Sequence, residues 1–185
     1  ASYAQAKLAL RHGLRGFTHL FNAMSQLGNR EPGVVGAALE DGASWCGIIV
    51  DGHHVDPVVL KLALRCKPAD RFLLVSDAMP NIGTDLAEFV LAGKRIRVID
   101  GKLLDDAGTL AGASLHMAGA VANAIELLGV DAAGAARMAG ANPAAFLRLE
   151  RELGRIEAGQ RASLVLADDR LNVLETWIDG ARLSD

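Results

Sequence analysis

Three apolar, strand-like runs in the first half of the chain each end in residues able to do chemistry. The first leads into Thr18-His19-Leu20-Phe21-Asn22-Ala23-Met24, the second into Asp51-Gly52-His53-His54, and the third into Val75-Ser76-Asp77-Ala78. The runs are continuously apolar rather than alternating, and loops and helical patterns separate them. That repetition predicts a parallel sheet covered by helices. Histidine and aspartate at the carboxyl ends of successive parallel strands is how a (β/α) barrel assembles an active site.

The chain has 185 residues, fewer than the roughly 250 of a complete barrel. The expected fold is therefore α/β: an incomplete TIM-type (β/α) barrel, its later strands and helices, followed by strands of a small β-sandwich domain. The opening at Ala1, directly into a helical pattern, reads as a cut inside a longer protein. A cut there predicts a bare sheet edge beside the His19 strand, to be covered by another copy or by more of the same chain. A hydrophobic content of 51% argues against disorder, and a net charge of −3 leaves no electrostatic footprint for nucleic acid. No apolar run approaches the roughly 18 residues of a membrane span, and no signal peptide is visible. Cys46 and Cys66 lie in apolar contexts and read as buried free thiols of a cytoplasmic protein.

Residues 2–12 read as a helix capped by Ser2, and 33–40 as a short helix opened by Pro32-Gly33. Residues 57–66 read as a helix with Asp56 at its N-cap and Pro57 in first position. Strands are expected at 14–21, 45–50 and 72–75. Residues 88–110 then read as a meander with turns at Ala92-Gly93-Lys94, Asp100-Gly101 and Asp106-Ala107-Gly108. Helices return at 114–128, with Ser114 as N-cap, and at 131–140, capped by Asp131. Asn142-Pro143 breaks the pattern before a short helix. Residues 162–167 and 174–178 read as antiparallel tail strands. The expected division is barrel, 1–150, and small β domain, 151–185.

His19, held rigidly at a strand end, suits a metal ligand; the alternative is a buried histidine bonded to backbone. His53 and His54 are adjacent on extended backbone and point opposite ways, so at most one faces a site. Asp77 suits a carboxylate that takes a proton from water and passes it to a leaving amine, or else a helix N-cap or loop residue. Arg30, in the loop Gly28-Asn29-Arg30-Glu31-Pro32-Gly33, fits bidentate binding of phosphate or carboxylate, or else a surface position beside Glu31. Leu110-Ala111-Gly112-Ala113 offers backbone N–H groups to a ligand, or is a plain loop into a helix. Trp45 and Trp177 read as core.

Taken together, Thr18 to Met24, the Gly28 to Gly33 loop, Cys46 to Asp56, Ser76-Asp77-Ala78 and Gly108-Thr109-Leu110-Ala111-Gly112 resemble the N-acetylglucosamine-6-phosphate deacetylases of the amidohydrolase superfamily. The resemblance runs through nearly the whole chain, in order. The tail Gly154 to Ala162 resembles a superfamily-wide return to the small β domain.

The resemblance implies roles. His19 matches a metal-ligand histidine, the metal being divalent, with zinc the expected ion. Asn22 and Ala23 match the pair that contacts the sugar phosphate, and Arg30 a phosphate-binding arginine. His54, not His53, matches the substrate-binding histidine. Asp77 matches the catalytic acid/base, and Leu110, Ala111 and Gly112 a loop lining the sugar site. In family dimers the arginine and histidine reach the neighbouring subunit's site, so a homodimer is expected. The implied reaction is hydrolysis of N-acetylglucosamine 6-phosphate to glucosamine 6-phosphate and acetate in a longer parent enzyme. The family's other histidine and glutamate metal ligands precede the segment matched here. The ligand set is therefore incomplete, and the chain alone is expected to be inactive or weakly active. Phe21 and Ala111 stand where relatives often carry Tyr and Ser. The alternatives are another metal-dependent amidohydrolase, or a non-catalytic truncated binding or assembly module.

Overall fold

The computed structural model describes residues 1–183. Helix α1 (Tyr3–Arg11) begins where the Ser2 hydroxyl accepts from the Gln5 N–H while the Gln5 side chain accepts from the Ser2 N–H. This reciprocal cap satisfies donors that the first helical turn leaves open. Helix α2 (Gly33–Glu40) follows Pro32. Helix α3 (Pro57–Cys66) starts at Asp56, whose carboxylate accepts from the Val58 N–H at 2.8 Å. All three helices match their expected spans to within a residue.

Strands β1 (Gly16–Phe17), β2 (Trp45–Ile48) and β3 (Phe72–Leu74) pair in that order, all parallel. The loops that follow them therefore share one edge of the sheet. β1 is much shorter than the expected 14–21, because the chain turns into left-handed backbone at His19, φ 34°. Pairing persists past the turn: the Leu20 N–H donates to the Gly47 carbonyl at 2.8 Å, and the Val75 N–H to that of Ile48 at 3.0 Å.

Leu20, Ile48, Ile49 and Phe72 are fully buried and form the centre of the core with Val35, Leu60, Ala120, Ala135 and Met138. Each large side chain so buried contributes roughly 1.5–3 kcal/mol. Lys67 is buried too. Its ammonium donates to the Ala38 carbonyl at 2.8 Å and the Ser44 hydroxyl at 3.2 Å, tying the last turn of α2 to the start of β2.

A four-stranded antiparallel meander follows: β4 (Glu88–Leu91), β5 (Lys94–Ile99), β6 (Lys102–Asp105) and β7 (Leu110–Ala113). Residues 110–113 are thus a strand rather than a loop into a helix. The Ala113 N–H donates to the Asp77 carbonyl at 2.8 Å, docking the meander on the end of β3. Helix α4 (Met117–Leu128) begins later than expected, with His116 rather than Ser114 as its cap. The Ser114 hydroxyl instead accepts from the Asn81 amide at 2.8 Å. Helix α5 (Ala132–Ala139) is capped by Asp131. Asn142-Pro143 lies inside the first turn of α6 (Ala141–Leu147) rather than before it, where proline lacks no needed donor.

The tail forms a third, antiparallel sheet of β8 (Leu164–Ala167), β9 (Val173–Ile178) and β10 (Ala181–Arg182), one short strand more than expected. The last two residues of the expected 151–185 unit lie outside the described residues. Cys46 is buried as expected, but Cys66, the last residue of α3, is exposed. Trp45 is core, edge-on to Phe146 and stacked under the Arg71 guanidinium. Trp177 is only half-buried, its indole N–H donating to the Glu175 carboxylate at 2.9 Å. Among the described residues no helix is long and apolar enough to cross a membrane.

Candidate functional site

The parallel order β1-β2-β3 brings the segments carrying His19, Asp51 to His54, and Asp77 to the same edge of one sheet. The backbone there is strained. Among the described residues nine non-glycine positions have positive φ, and four belong to this region: His19, Phe21, Ala23 and Asp77 at 34°, 78°, 53° and 51°. Such conformations cost about 1–3 kcal/mol each and persist only where the surroundings enforce them. Over residues 19–24 side-chain amides do so, and at Asp77 the Ala113 N–H holds the carbonyl. Asn22 donates to the His19 and Leu20 carbonyls at 3.2 and 3.3 Å, and Gln26 to those of Phe21 and Met24 at 2.6 and 2.9 Å. The loop closes at Gly33, φ 66°, where a Cβ would lie 2.6 Å from the Ser25 carbonyl oxygen.

Arg30 is exposed on that loop and has no salt-bridge partner among the described residues. Glu31 is engaged elsewhere, its carboxylate accepting from the Tyr3 N–H at 2.7 Å. Arg30 thus occupies an exposed surface position beside Glu31 without an ion pair to it, which leaves its guanidinium open to a ligand.

After β2, Gly52 at φ 75° folds the chain back on Asp51. One Asp51 carboxylate oxygen accepts from the His53 and His54 N–H groups at 2.8 and 2.9 Å, and the other meets His54 Nδ1 at 2.6 Å. The His54 and Asp51 side chains are 6% and 10% exposed. His53, by contrast, is exposed. Burial pushes the Asp51 carboxyl up, but the His54 ring and the two backbone N–H groups outweigh it and hold the carboxyl at about 2.

The depressed Asp51 carboxyl stabilises the fold above the ordinary aspartate range, and this stabilisation fades as pH falls towards about 2. Asp51→Asn should thus lower unfolding stability at neutral pH by on the order of 2 kcal/mol. In urea titrations the gap between the proteins should narrow from about pH 5 to about pH 2.

Asp77 is half-buried, and its carboxylate accepts no hydrogen bond among the described residues, so it is not a helix cap. β7 lies beside it. Gly112, φ 84°, packs so close to Met79 that a Cβ would fall 2.3 Å from the methionine Cε. Leu110, Ala111 and Gly112 are thus held next to the loop that carries Asp77.

His19 Nδ1 is buried and meets no hydrogen-bond partner among the described residues, which suits a side chain with a ligand still to engage. No group of three His, Cys, Asp or Glu side chains able to hold a metal ion comes together among those residues, however. They supply one candidate ligand and not a complete metal centre. Cavities of about 450 and 600 Å³ sit at the opposite ends of the strands, lined by Trp45 and Arg71, and include none of the candidate residues. Asp51 is the residue that sequence reasoning missed. Its signal was the Asp-Gly turn before the histidine pair, where an aspartate can accept from the backbone two and three residues on.

The Amidohydrolase family matches residues 3–183. An N-acetylgalactosamine-6-phosphate deacetylase of Shewanella sp. (strain ANA-3) is 44% identical over 177 residues, covering 95% of this chain and 44% of its own. One of Escherichia coli O157:H7 is 38% identical over 180 residues, covering 97% and 48%. The crystal structure of N-acetylglucosamine-6-phosphate deacetylase from Pasteurella multocida superposes with a TM-score of 0.96 at 38% identity. It covers 100% of this chain, which covers 48% of it. The chain spans about half the length of these relatives.

Proposed function

The chain belongs to the amidohydrolase family, and on that premise we propose that its strand-end face serves N-deacetylation of N-acetylhexosamine 6-phosphates. Relatives named for both the glucosamine and the galactosamine substrate match it, so the substrate class is set more widely than N-acetylglucosamine 6-phosphate alone. One observation carries the reading: His19, the Asp51–His54 pair and Asp77 follow neighbouring parallel strands, with His19 and Asp77 themselves on left-handed backbone. We assign residues 1–150 to the later part of a (β/α) barrel and 151–185 to a small β domain.

In this reading Arg30 takes the phosphate as a bidentate guanidinium pair, with Asn22 and Ala23 beside it. Leu110, Ala111 and Gly112 line the sugar. Holding both ends of the substrate fixes the acetamide for attack. Asp77 takes a proton from the water that adds to the acetamide carbonyl carbon. It returns that proton to nitrogen as the C–N bond breaks, giving a free amine and acetate. Amidohydrolases are generally metal-dependent, and His19 is the candidate ligand here. Because three ligands do not assemble in the described residues, the chain by itself is expected to bind the sugar phosphate and turn it over little. Arg30 is exposed and the His54 ring engages only its Nδ1 among the described residues, so both remain open to a sugar phosphate, in this copy's site or a second copy's.

Calorimetry with N-acetylglucosamine 6-phosphate and N-acetylgalactosamine 6-phosphate tests the reading. Arg30→Ala should weaken binding of both by roughly 10- to 100-fold, the loss of a charge-assisted bidentate pair. The unphosphorylated sugars should be unaffected. Equal losses for both forms would contradict the phosphate assignment.

A further inference from the structure

We propose that Asp51 is a positioning residue: it keeps the His54 ring proton on Nδ1 and leaves Nε2 as the ring nitrogen that meets the sugar phosphate. The ligand half of this rests on the site described under Proposed function. Asp51 makes three contacts with the chain it precedes: the His53 and His54 N–H groups at 2.8 and 2.9 Å and the His54 Nδ1 at 2.6 Å. An ionised carboxylate has no proton to donate, so the hydrogen in the Asp51–His54 contact belongs to Nδ1. Nε2 makes no hydrogen bond among the described residues. Unprotonated, it accepts from a sugar hydroxyl; protonated, it donates to an anionic oxygen.

The surroundings leave this arrangement little freedom. The Asn123 amide donates to the Val50 carbonyl at 2.7 Å, anchoring the chain just before Asp51, and Val55 just after His54 is buried. A Cβ on Gly52 would lie 3.9 Å from Leu127, so the turn rests on α4. His53 has no carboxylate of its own and lies beside the Gly101 turn of the meander, where a Cβ on Gly101 would be 3.9 Å from its Nε2. The same four residues thus treat two adjacent histidines differently: one is oriented and buried, the other exposed.

Imidazole nitrogen NMR of the full chain, at a pH where the ring is neutral, tests the assignment directly. In the wild-type protein His54 should carry its proton on Nδ1. Asp51→Asn keeps an oxygen for the two backbone N–H groups but turns an amide N–H towards Nδ1, so the proton should move to Nε2. A wild-type proton on Nε2, or the same tautomer in both proteins, would overturn the proposal. A purely structural turn would not move the second readout. Either N-acetylhexosamine 6-phosphate should shift Nε2 in the wild type, and its dissociation constant should rise about tenfold in Asp51→Asn. Equal dissociation constants in two proteins with matching amide spectra would also overturn it. If the folded wild type binds neither sugar phosphate, the site reading and the ligand half of this proposal both fail. The tautomer comparison, which needs no ligand, still decides the Asp51–His54 arrangement.

Discussion

Asp77→Asn is expected to remove acetate release by about 10²–10⁴-fold, the usual contribution of a positioned acid–base group. The measurement suits a hybrid in which this chain replaces the matching 48% of the Pasteurella multocida deacetylase. The loss should fall on kcat and kcat/KM alike, with KM little changed, because proton transfer is a transition-state interaction. Folding should be nearly untouched, within about 0.5 kcal/mol. Asparagine is close in shape, the Asp77 carboxylate holds no hydrogen bond among the described residues, and asparagine tolerates the φ of 51° found there. A stable variant that retains full activity would remove Asp77 from the chemistry.

Phe72→Ala should have the largest effect on stability, about 3–5 kcal/mol by loss of buried area plus the cavity left behind. Phe72 is 0% exposed, starts β3, and its carbonyl accepts from the Asn142 amide at 2.8 Å. Domains of this kind are stable by roughly 5–15 kcal/mol in all, so much of the total is at stake. β3 also delivers Asp77, so sugar-phosphate binding should fail together with the fold. Ile178→Ala, at a position 48% exposed in the tail sheet, should cost far less. Comparable midpoints for the two variants in denaturant would mean that the core is not centred on the parallel sheet.

Local chemistry made most elements legible. The Ser2, Asp56 and Asp131 caps mark helix starts through interactions spanning two or three residues, and the structure has them where the pattern put them. The meander followed from its turn residues in the same way. Long-range contacts were not legible. The Ser114 hydroxyl is taken by Asn81, 33 residues away, so α4 starts at His116 instead. β1 ends early because His19 turns left-handed, a conformation enforced by Asn22 and the β2 backbone. In the candidate site, residue types and strand ends could be read directly. The split between His53 and His54 could be expected from their adjacency, but Asp51 as the cause depends on how Gly52 folds the loop.

Whether the strand-end face is the sugar-phosphate site is decided by an amide NMR titration of the chain with N-acetylglucosamine 6-phosphate and N-acetylgalactosamine 6-phosphate. Shifts are expected at Asn22, Ala23, Arg30, His54 and Leu110 to Gly112, abolished for the phosphate-facing group by Arg30→Ala. Shifts confined to the cavities beside Trp45 and Arg71, at the other ends of the strands, would place the ligand elsewhere and contradict the assignment.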